Sequence, residues 1–568
     1  MQAAPPDAES LRPHTRLGPG SVLQTVATLL WLPQAWLLAQ ALQSLLGGGG
    51  LRAVFWPALL IAVLGLCRSA LDAHGLRRSF QAARARLTAL RAQVALALAA
   101  RSPLDPARPA SGLAASVMAE QAEAVLPYLT RYQPARLRAT VVPLVILAAV
   151  LPFSWIAALV LLCAAPLIPV FMALVGWRAK AASEVQMVEM GGMNAFLLDR
   201  LRGLATLRAL GAVDFTALRL REAGESLRRR TMAVLRIAFL SSAVLELFAA
   251  LGVAMVAAYV GFHLLGQLNY GAWGLRLSLG QGLFILLLAP AFFEPLREVS
   301  LVWHDRAAGE AALAALARLS QAGMALPGAN DDVDVEAAAS PGRAARPPAL
   351  RIRGLVFAHR GADRPVFDGL DLDVAAGEHV AVMAASGAGK TTLLSLIAGL
   401  APLQAGGIRV DGTLLTEASA AALRQRMAWL GQKPHIFAGT VQANVALGRP
   451  EVGAEEVKAA LWFAALGSTA QAHGGVALGE GGAGLSGGEA VRLALARAVV
   501  QPQADLLLVD EPTAHLDAAT AEAVTEALLQ LADGKTMLVA THDPVLAARL
   551  DRRLPLCAEP SEPIEVAA

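Results

Sequence analysis

Leu485-Ser486-Gly487-Gly488-Glu489 stands between two other polar signals in an otherwise apolar chain of 568 residues. Upstream lies the loop Ala384-Ala385-Ser386-Gly387-Ala388-Gly389-Lys390-Thr391-Thr392, and downstream the acidic pair Asp510-Glu511 follows the apolar run Leu506-Leu507-Leu508-Val509. The pentapeptide leads into a basic helical run, Ala490 to Val500. A serine and two glycines at a helix start leave backbone N–H groups free to meet an anion, and the helix dipole favours negative charge there. Loop, pentapeptide and acidic pair, in this order, mark the second half of the chain as a nucleotide-hydrolysing domain.

The upstream loop carries the phosphate chemistry. His379-Val380-Ala381-Val382-Met383 reads as a short buried strand, and Thr391 to Leu400 as the helix after the loop. In that setting the loop backbone, Ala384 to Thr392, surrounds the phosphates, Lys390 bonds the β- and γ-phosphates, and the Thr391 hydroxyl ligates Mg²⁺. The first position of the G-x-x-x-x-G-K-[ST] pattern is Ala384 instead of Gly. A side chain there is expected to constrain the turn and weaken nucleotide binding. The run Leu506 to Val509 reads as a strand delivering Asp510 to the metal through water and Glu511 to the water that attacks the γ-phosphate. Glu511 is the candidate general base. The same Asp-Glu pair would also suit the cap and first turn of a helix.

Composition divides the chain. Hydrophobic residues make up 56% and charged residues only 16%, with a mean hydropathy of +0.51, too apolar for a soluble globular average. Val22 to Leu46 carries no charge and is long enough to cross about 30 Å of hydrocarbon. Ala139 to Trp177 is also uncharged but about twice too long for one crossing. Pro152-Phe153-Ser154 marks the reversal inside it. Ile237 to Leu265, interrupted by Glu246 and His263, and Leu279 to Phe293 supply two more, and Ala53 to Leu71, with Arg68 inside, completes a consistent orientation. Six crossings are predicted, over about 22–46, 53–73, 139–153, 155–177, 237–265 and 277–295.

Arginine placement orients them. The loop from Arg77 to Arg138 and the loop from Arg178 to Arg230 are rich in Arg, whereas the alternate loops hold only Arg52 and Arg276. The rich loops are expected in the cytoplasm with both termini. Some of these arginines also suit anionic lipid headgroups. The net charge of +3 gives no support to a nucleic-acid partner. Met1 to Pro19 is polar and the first apolar run too long for a signal peptide, so none is expected. Cys67, Cys163 and Cys557 are too far apart in sequence for a zinc site, and the two in apolar segments are expected to be packed inside. Both Arg-rich loops repeat Ala, Leu and Arg at helical spacing, which predicts helical hairpins reaching toward an ATPase domain. Gly, Pro and acidic residues make Leu319 to Ala349 a linker, and apolar alternation in Leu350 to Phe357 and Leu370 to Val374 opens a new domain. The expected fold is an all-α, six-helix transmembrane domain over 1–318, a linker over 319–349 and an α/β P-loop nucleotide-binding domain over 350–568.

The ordered motifs resemble the ATP-binding cassette (ABC) proteins, and the arrangement resembles the type I (type IV fold) ABC exporters over almost the whole chain. The resemblance implies that Gln432, in Leu430-Gly431-Gln432-Lys433-Pro434, is the Q-loop residue contacting Mg²⁺ and water. It implies that His542, in Ala540-Thr541-His542-Asp543, is the switch histidine, and that Asp517 belongs to the D-loop, Ala514-His515-Leu516-Asp517. His359 falls where this family usually stacks an aromatic on adenine, and Glu489 replaces the common Gln. Ser486, Gly487 and Gly488 would complete the ATP site of a partner chain. One cassette per chain implies a two-chain unit. After His542 few residues remain, so a shortened end of the cassette is expected.

Segments such as Phe196 to Leu207, Ser241 to Glu246, Ala257 to Phe262, Gly282 to Pro290, Pro295-Leu296-Arg297 and His304 resemble the CydD half of the CydDC thiol-reductant exporters. That implies a CydC-like partner, a bacterial inner membrane, export of cysteine or glutathione, or haem handling for cytochrome bd assembly. Two alternatives stand beside it: a homodimeric multidrug, lipid or peptide exporter, and a haem-binding assembly factor powered by ATP. Glu246 in an apolar helix marks a candidate translocation path, and the isolated His74, His263 and His304 are the candidate haem ligands.

Overall fold

A computed structural model describes residues 18–48, 50–168, 170–171, 196–197, 200, 203–274, 276–329, 346–362, 364–467, 478 and 485–556. Two compact units result: one comprises Pro6–Val94 and Ser111–Leu319, the other Ala95–Ala110 together with the chain from Ser320 onward.

The first unit is helical. Among the described residues, five helical stretches are long and apolar enough to cross a membrane: Pro19–Leu46, Arg52–Ala99, Ser111–Val150, Glu246–Leu264 and Leu279–Leu319. A sixth apolar helix, Trp155–Ala164, is shorter, and the end of the crossing expected over 155–177 falls on residues 172–177, outside the described residues. Several helices exceed the length a bilayer requires. Gly50–Ala99 has 50 residues and Val213–Leu264 has 52, where about 20 suffice. These helices run beyond the crossings expected over 53–73 and 237–265 on their Arg-rich side, as the helical spacing of Ala, Leu and Arg there predicts. The helix Gln133–Val150 ends in a turn, and Ser154 caps the next helix by accepting a bond from Ala157 N–H at 3.2 Å.

Small residues bring the spans together, as expected where lipid supplies no hydrophobic drive between helices. A Cβ at Gly252 would lie 2.4 Å from Phe293 Cζ, and one at Gly282 would lie 2.9 Å from Val260 Cγ1. Phe292, Phe293, Ile285, Leu288, Ile146 and Leu161 are buried in this core. Arg68 is accommodated with its guanidinium 5.9 Å above the Trp31 ring. Cys67 and Cys163 are exposed on this chain, which corrects the expectation of packed thiols: each lies on the outward face of its helix.

The second unit is α/β. Strands β1 (Leu350–Phe357), β2 (Phe367–Val374), β3 (His379–Met383), β4 (Ala405–Val410), β5 (Thr413–Leu414), β6 (Met427–Leu430), β7 (Leu506–Asp510), β8 (Thr536–Thr541) and β9 (Arg552–Pro555) form two sheets. One is antiparallel with order β2-β1-β4-β5; the other has order β6-β7-β8-β3-β9 and its pairs are parallel. In the parallel sheet β7 and β8 are wholly buried, as strands covered on both faces must be. Their carboxyl ends release Asp510 and Thr541 beside the loop after β3.

Residues 95–110, which fall within the domain expected over 1–318, make their contacts with this unit. Ser102 N–H donates to Met324 O and Leu326 N–H to Ala100 O, both at 2.9 Å. Ser102 Oγ donates to Leu400 O at 2.5 Å and Met324 N–H to Asp105 Oδ2 at 3.0 Å. Arg101 bonds Gln321 O. The expected linker is thus partly structured: Ser320–Ala329 is held by this hairpin tip, while residues 330–345 lie outside the described residues.

Candidate functional site

The loop after β3 turns on glycines at two positions. Gly387 has φ +85° and Gly389 has φ +89°, a left-handed conformation that L side chains rarely adopt. A Cβ at Gly389 would also lie 2.4 Å from Val366 Cγ1. Ala384 is not among the residues with positive φ, so a methyl group there meets no backbone penalty. The expected constraint at this position therefore has no conformational basis. The loop opens the helix Lys390–Ile397.

At this helix start the charged side chains converge. Lys390 Nζ donates to Ala384 O at 2.8 Å and lies 3.0 Å from Glu511 Oε1. Thr391 Oγ1 donates to Asp510 Oδ2 at 2.7 Å. His542 Nδ1 is 2.5 Å from Glu511 Oε2, and Glu511 holds φ +48° while its N–H donates to Ala540 O at 2.8 Å. A glutamate in the left-handed region costs of order 1 kcal/mol. The bond to β8 and the flanking Lys390 and His542 hold it there. Burial pushes the Asp510 carboxyl above its ordinary range, against the Thr391 hydroxyl bond, which lowers it.

Mg²⁺ fits these residues. Asp510 is 2% exposed, and its Oδ1 is buried with no hydrogen-bond partner. The Thr391 hydroxyl lies on the other oxygen, so a hard oxygen pair is available to a small divalent cation. Gln432 is exposed, two residues beyond the end of β6, which pairs with β7 in the register Leu430 to Val509. It therefore leaves the sheet beside Asp510. His359 Nε2 lies 3.3 Å from Thr392 Oγ1, and its ring is 5.2 Å from Phe357.

The pentapeptide forms a second, separate anion-facing end. Ser486 caps the helix Gly487–Val499, accepting from Glu489 N–H at 3.3 Å, while Glu489 Oε2 accepts from Ser486 N–H at 2.8 Å and from its hydroxyl at 2.9 Å. A reciprocal capping box explains why Glu serves where Gln is common. A Cβ at Gly488 would meet Thr520 Cγ2 at 2.8 Å, on the helix Ala518–Ala532 that Asp517 caps through Thr520 N–H at 3.0 Å. Ser486 takes no part in the hydrogen bonds of the Lys390–Glu511 cluster. Phosphate loop and pentapeptide are thus separate hydrogen-bonded groups within this chain.

The ABC transporter family matches residues 367–514 and the ABC transporter transmembrane region matches residues 20–286. Transport ATP-binding protein AarD of Providencia stuartii is 35% identical over 92% of this chain and 87% of its own length. The glutathione/L-cysteine transport system ATP-binding/permease proteins CydD of Haemophilus influenzae and Escherichia coli are each 34% identical over the same shares. This chain belongs to the ABC exporters. It is a multi-pass membrane protein and a CydD-like subunit of an ATP-driven exporter, with ATP hydrolysis coupled to transport. A solved bacterial Atm1-family ABC exporter with ATP bound shares the fold, at 22% identity and a TM-score of 0.71 over 95% of this chain and 92% of that one.

Of the membrane candidates, Glu246 is an exposed carboxylate on this chain, 4.0 Å from Arg297. A separate polar group, not anticipated from the sequence, joins Arg138 to Glu298 and, at 3.2 Å, to Gln24 Oε1; the available signal was the arginine directly before the uncharged run that starts at Ala139. His263 is 1% exposed, with Nδ1 accepting from Leu277 N–H at 3.4 Å. His74, His263 and His304 lie on three separate helices, and no group of three His, Cys, Asp or Glu among the described residues is placed to hold a metal.

Proposed function

We propose that this chain is the CydD-like half of a two-chain exporter that moves cysteine or glutathione out of the bacterial cytoplasm across the inner membrane, with a CydC-like chain as its partner. Full-length similarity to the two CydD proteins, over 92% of this chain, carries the reading. A CydC protein of Bacillus subtilis is 31% identical over 73% of the chain, as a homologous partner half would be. The Arg-rich loops support a cytoplasmic ATPase unit and cytoplasmic termini in this reading.

In the proposed mechanism the loop from Ala384 to Thr392 wraps the phosphates and Lys390 turns from Ala384 O to the β- and γ-phosphates. Thr391 and Asp510 would hold Mg²⁺, with Gln432 beside them, and the ion would neutralise developing phosphate charge. Glu511 Oε1 accepts the proton of the attacking water. His542 fixes the Glu511 carboxylate from its other oxygen and is positioned to reach the γ-phosphate. His359 supports the adenine. Ser486, Gly487 and Gly488, with Asp517 behind them, present N–H and hydroxyl groups to the nucleotide held by the partner. Haem is the other cargo that the resemblance implies.

The test is reconstitution of both chains in inside-out vesicles, with uptake of labelled cysteine and glutathione followed on ATP addition. Uptake absent above a Glu511→Gln control would refute the cargo. Full uptake by this chain alone would favour the homodimeric exporter.

A further inference from the structure

Arg497 projects from the helix Gly487–Val499 onto the segment that follows Gln432. Its Nε donates to Asn444 O at 2.8 Å, Nη1 to His435 O at 2.7 Å, and Nη2 to Asn444 Oδ1 at 2.7 Å. Asn444 is 1% exposed and is used at every polar atom. Its Oδ1 also accepts from Phe437 N–H at 2.9 Å, and its Nδ2 donates to Phe437 O at 2.8 Å and Thr440 O at 3.1 Å. The guanidinium lies 5.8 Å from the Phe437 ring centroid.

These partners are all neutral oxygens. Burial lowers the guanidinium's pKa, and no carboxylate contributes to restore it. A cation held half-buried without a counter-ion costs free energy, which a packing residue in its place would avoid. What the planar fork supplies is geometry: several N–H groups fixed in one plane, here bonded to oxygens on residues 435 and 444. The helix it stands on is capped by Ser486, and the segment it grips begins three residues after Gln432. One end therefore belongs to the half-site offered to a partner, the other to this chain's own nucleotide loop.

We propose that Arg497 and Asn444 rivet the Gln432 loop to the Ser486 helix, so that nucleotide engagement at this chain's own loop alters how it completes its partner's site. This rests on the two-chain reading above. Arg497 and Asn444 are positioning residues, since neither touches the Lys390–Glu511 cluster.

The test uses the assembled two-chain complex. ATP turnover is measured for Gln432→Ala, Ser486→Ala and the double variant, first in the native background and then with Arg497→Lys, which keeps the charge and loses the fork. In the native background the double variant should depart from the product of the single effects by about fivefold or more, as coupled residues do. With Arg497→Lys the effects should multiply to within about twofold, and the KM for ATP should stay within the same margin. Multiplicative effects in the native background, or coupling that survives Arg497→Lys, would overturn the rivet. If Ser486→Ala alone leaves turnover unchanged, the two-chain site is what fails. Should Arg497→Lys not assemble, Arg497→Met, which keeps an apolar stem and loses the fork, replaces it in the same cycle, with the same results expected and the same results overturning the rivet.

Discussion

Glu511→Gln separates binding from chemistry at the proposed site, and its size can be worked from the contacts. The change keeps the side chain's volume and an oxygen and nitrogen in place of two oxygens. It removes the carboxylate that lies 3.0 Å from Lys390 and 2.5 Å from His542, with the Lys390 and Glu511 side chains 7% and 9% exposed. Removing one partner of a buried pair costs about 3–5 kcal/mol when the other is left stranded. Lys390 is not stranded, because Ala384 O and Ala385 O still accept from it at 2.8 and 3.4 Å, so the cost should be about 1–2 kcal/mol. ATP brings phosphate oxygens to the same lysine, and its Kd should stay within about threefold, under about 0.7 kcal/mol. Catalysis should suffer far more. Loss of a general base slows turnover by about 10²–10⁴, or about 2.7–5.5 kcal/mol. The assay is phosphate release by the two-chain complex, paired with fluorescent-nucleotide binding. Turnover within twofold of native at undiminished nucleotide binding would refute Glu511 as base at a working site.

Three further outcomes test other parts of the structure. Gly488→Ala should cost about 1–3 kcal/mol through the close approach to Thr520, visible as a lower melting temperature, and a stability equal to native would show that the helix Ala518–Ala532 yields. Ala384→Gly should leave ATP affinity within about twofold and destabilise by about 0.5–1 kcal/mol through added chain entropy; a marked gain in affinity would mean the methyl group does constrain the loop. Arg552 donates to Glu378 Oε1 at 2.6 Å and Oε2 at 3.2 Å, and the Arg552 bond, offset in part by burial, holds the Glu378 carboxyl below its ordinary value of 4.5. Because the folded pKa is depressed, this stabilisation is full above pH 4.5 and is lost as pH falls through the folded value. Glu378→Gln should flatten the acid limb of the melting curve in that window, and an unchanged limb would assign it elsewhere.

The helical extensions were legible in the sequence, whereas the contacts of the hairpin tip were not. Lipid-crossing runs are legible because hydrocarbon demands uninterrupted apolarity, and the extension of Gly50–Ala99 past them was legible in the helical spacing of its Ala, Leu and Arg. Nothing in Arg101 to Asp105 signals that it will bury against Met324 and Leu400, as those partners are more than 200 residues away. The same holds for Arg497. In sequence it is one more arginine in a basic run, and only folding brings residues 435 and 444 under its fork.

By itself the sequence determined which chemistry is present: a phosphate loop, an acidic pair at a strand end, a Ser-Gly-Gly helix start and a membrane half before them. Each of these is written in neighbouring residues, where strand, turn and helix rules act locally. Tertiary structure alone decided how they combine. Parallel pairing of β3 with β8 and of β8 with β7 sets Lys390, Asp510, Glu511 and His542 within bonding distance, because adjacent parallel strands release their loops at one edge. It also settled that Ala384 costs the loop no backbone strain, since φ depends on how the turn is held. Finally, it joined the helix that the pentapeptide opens to the segment after Gln432 through a fork of hydrogen bonds between residues far apart in the chain.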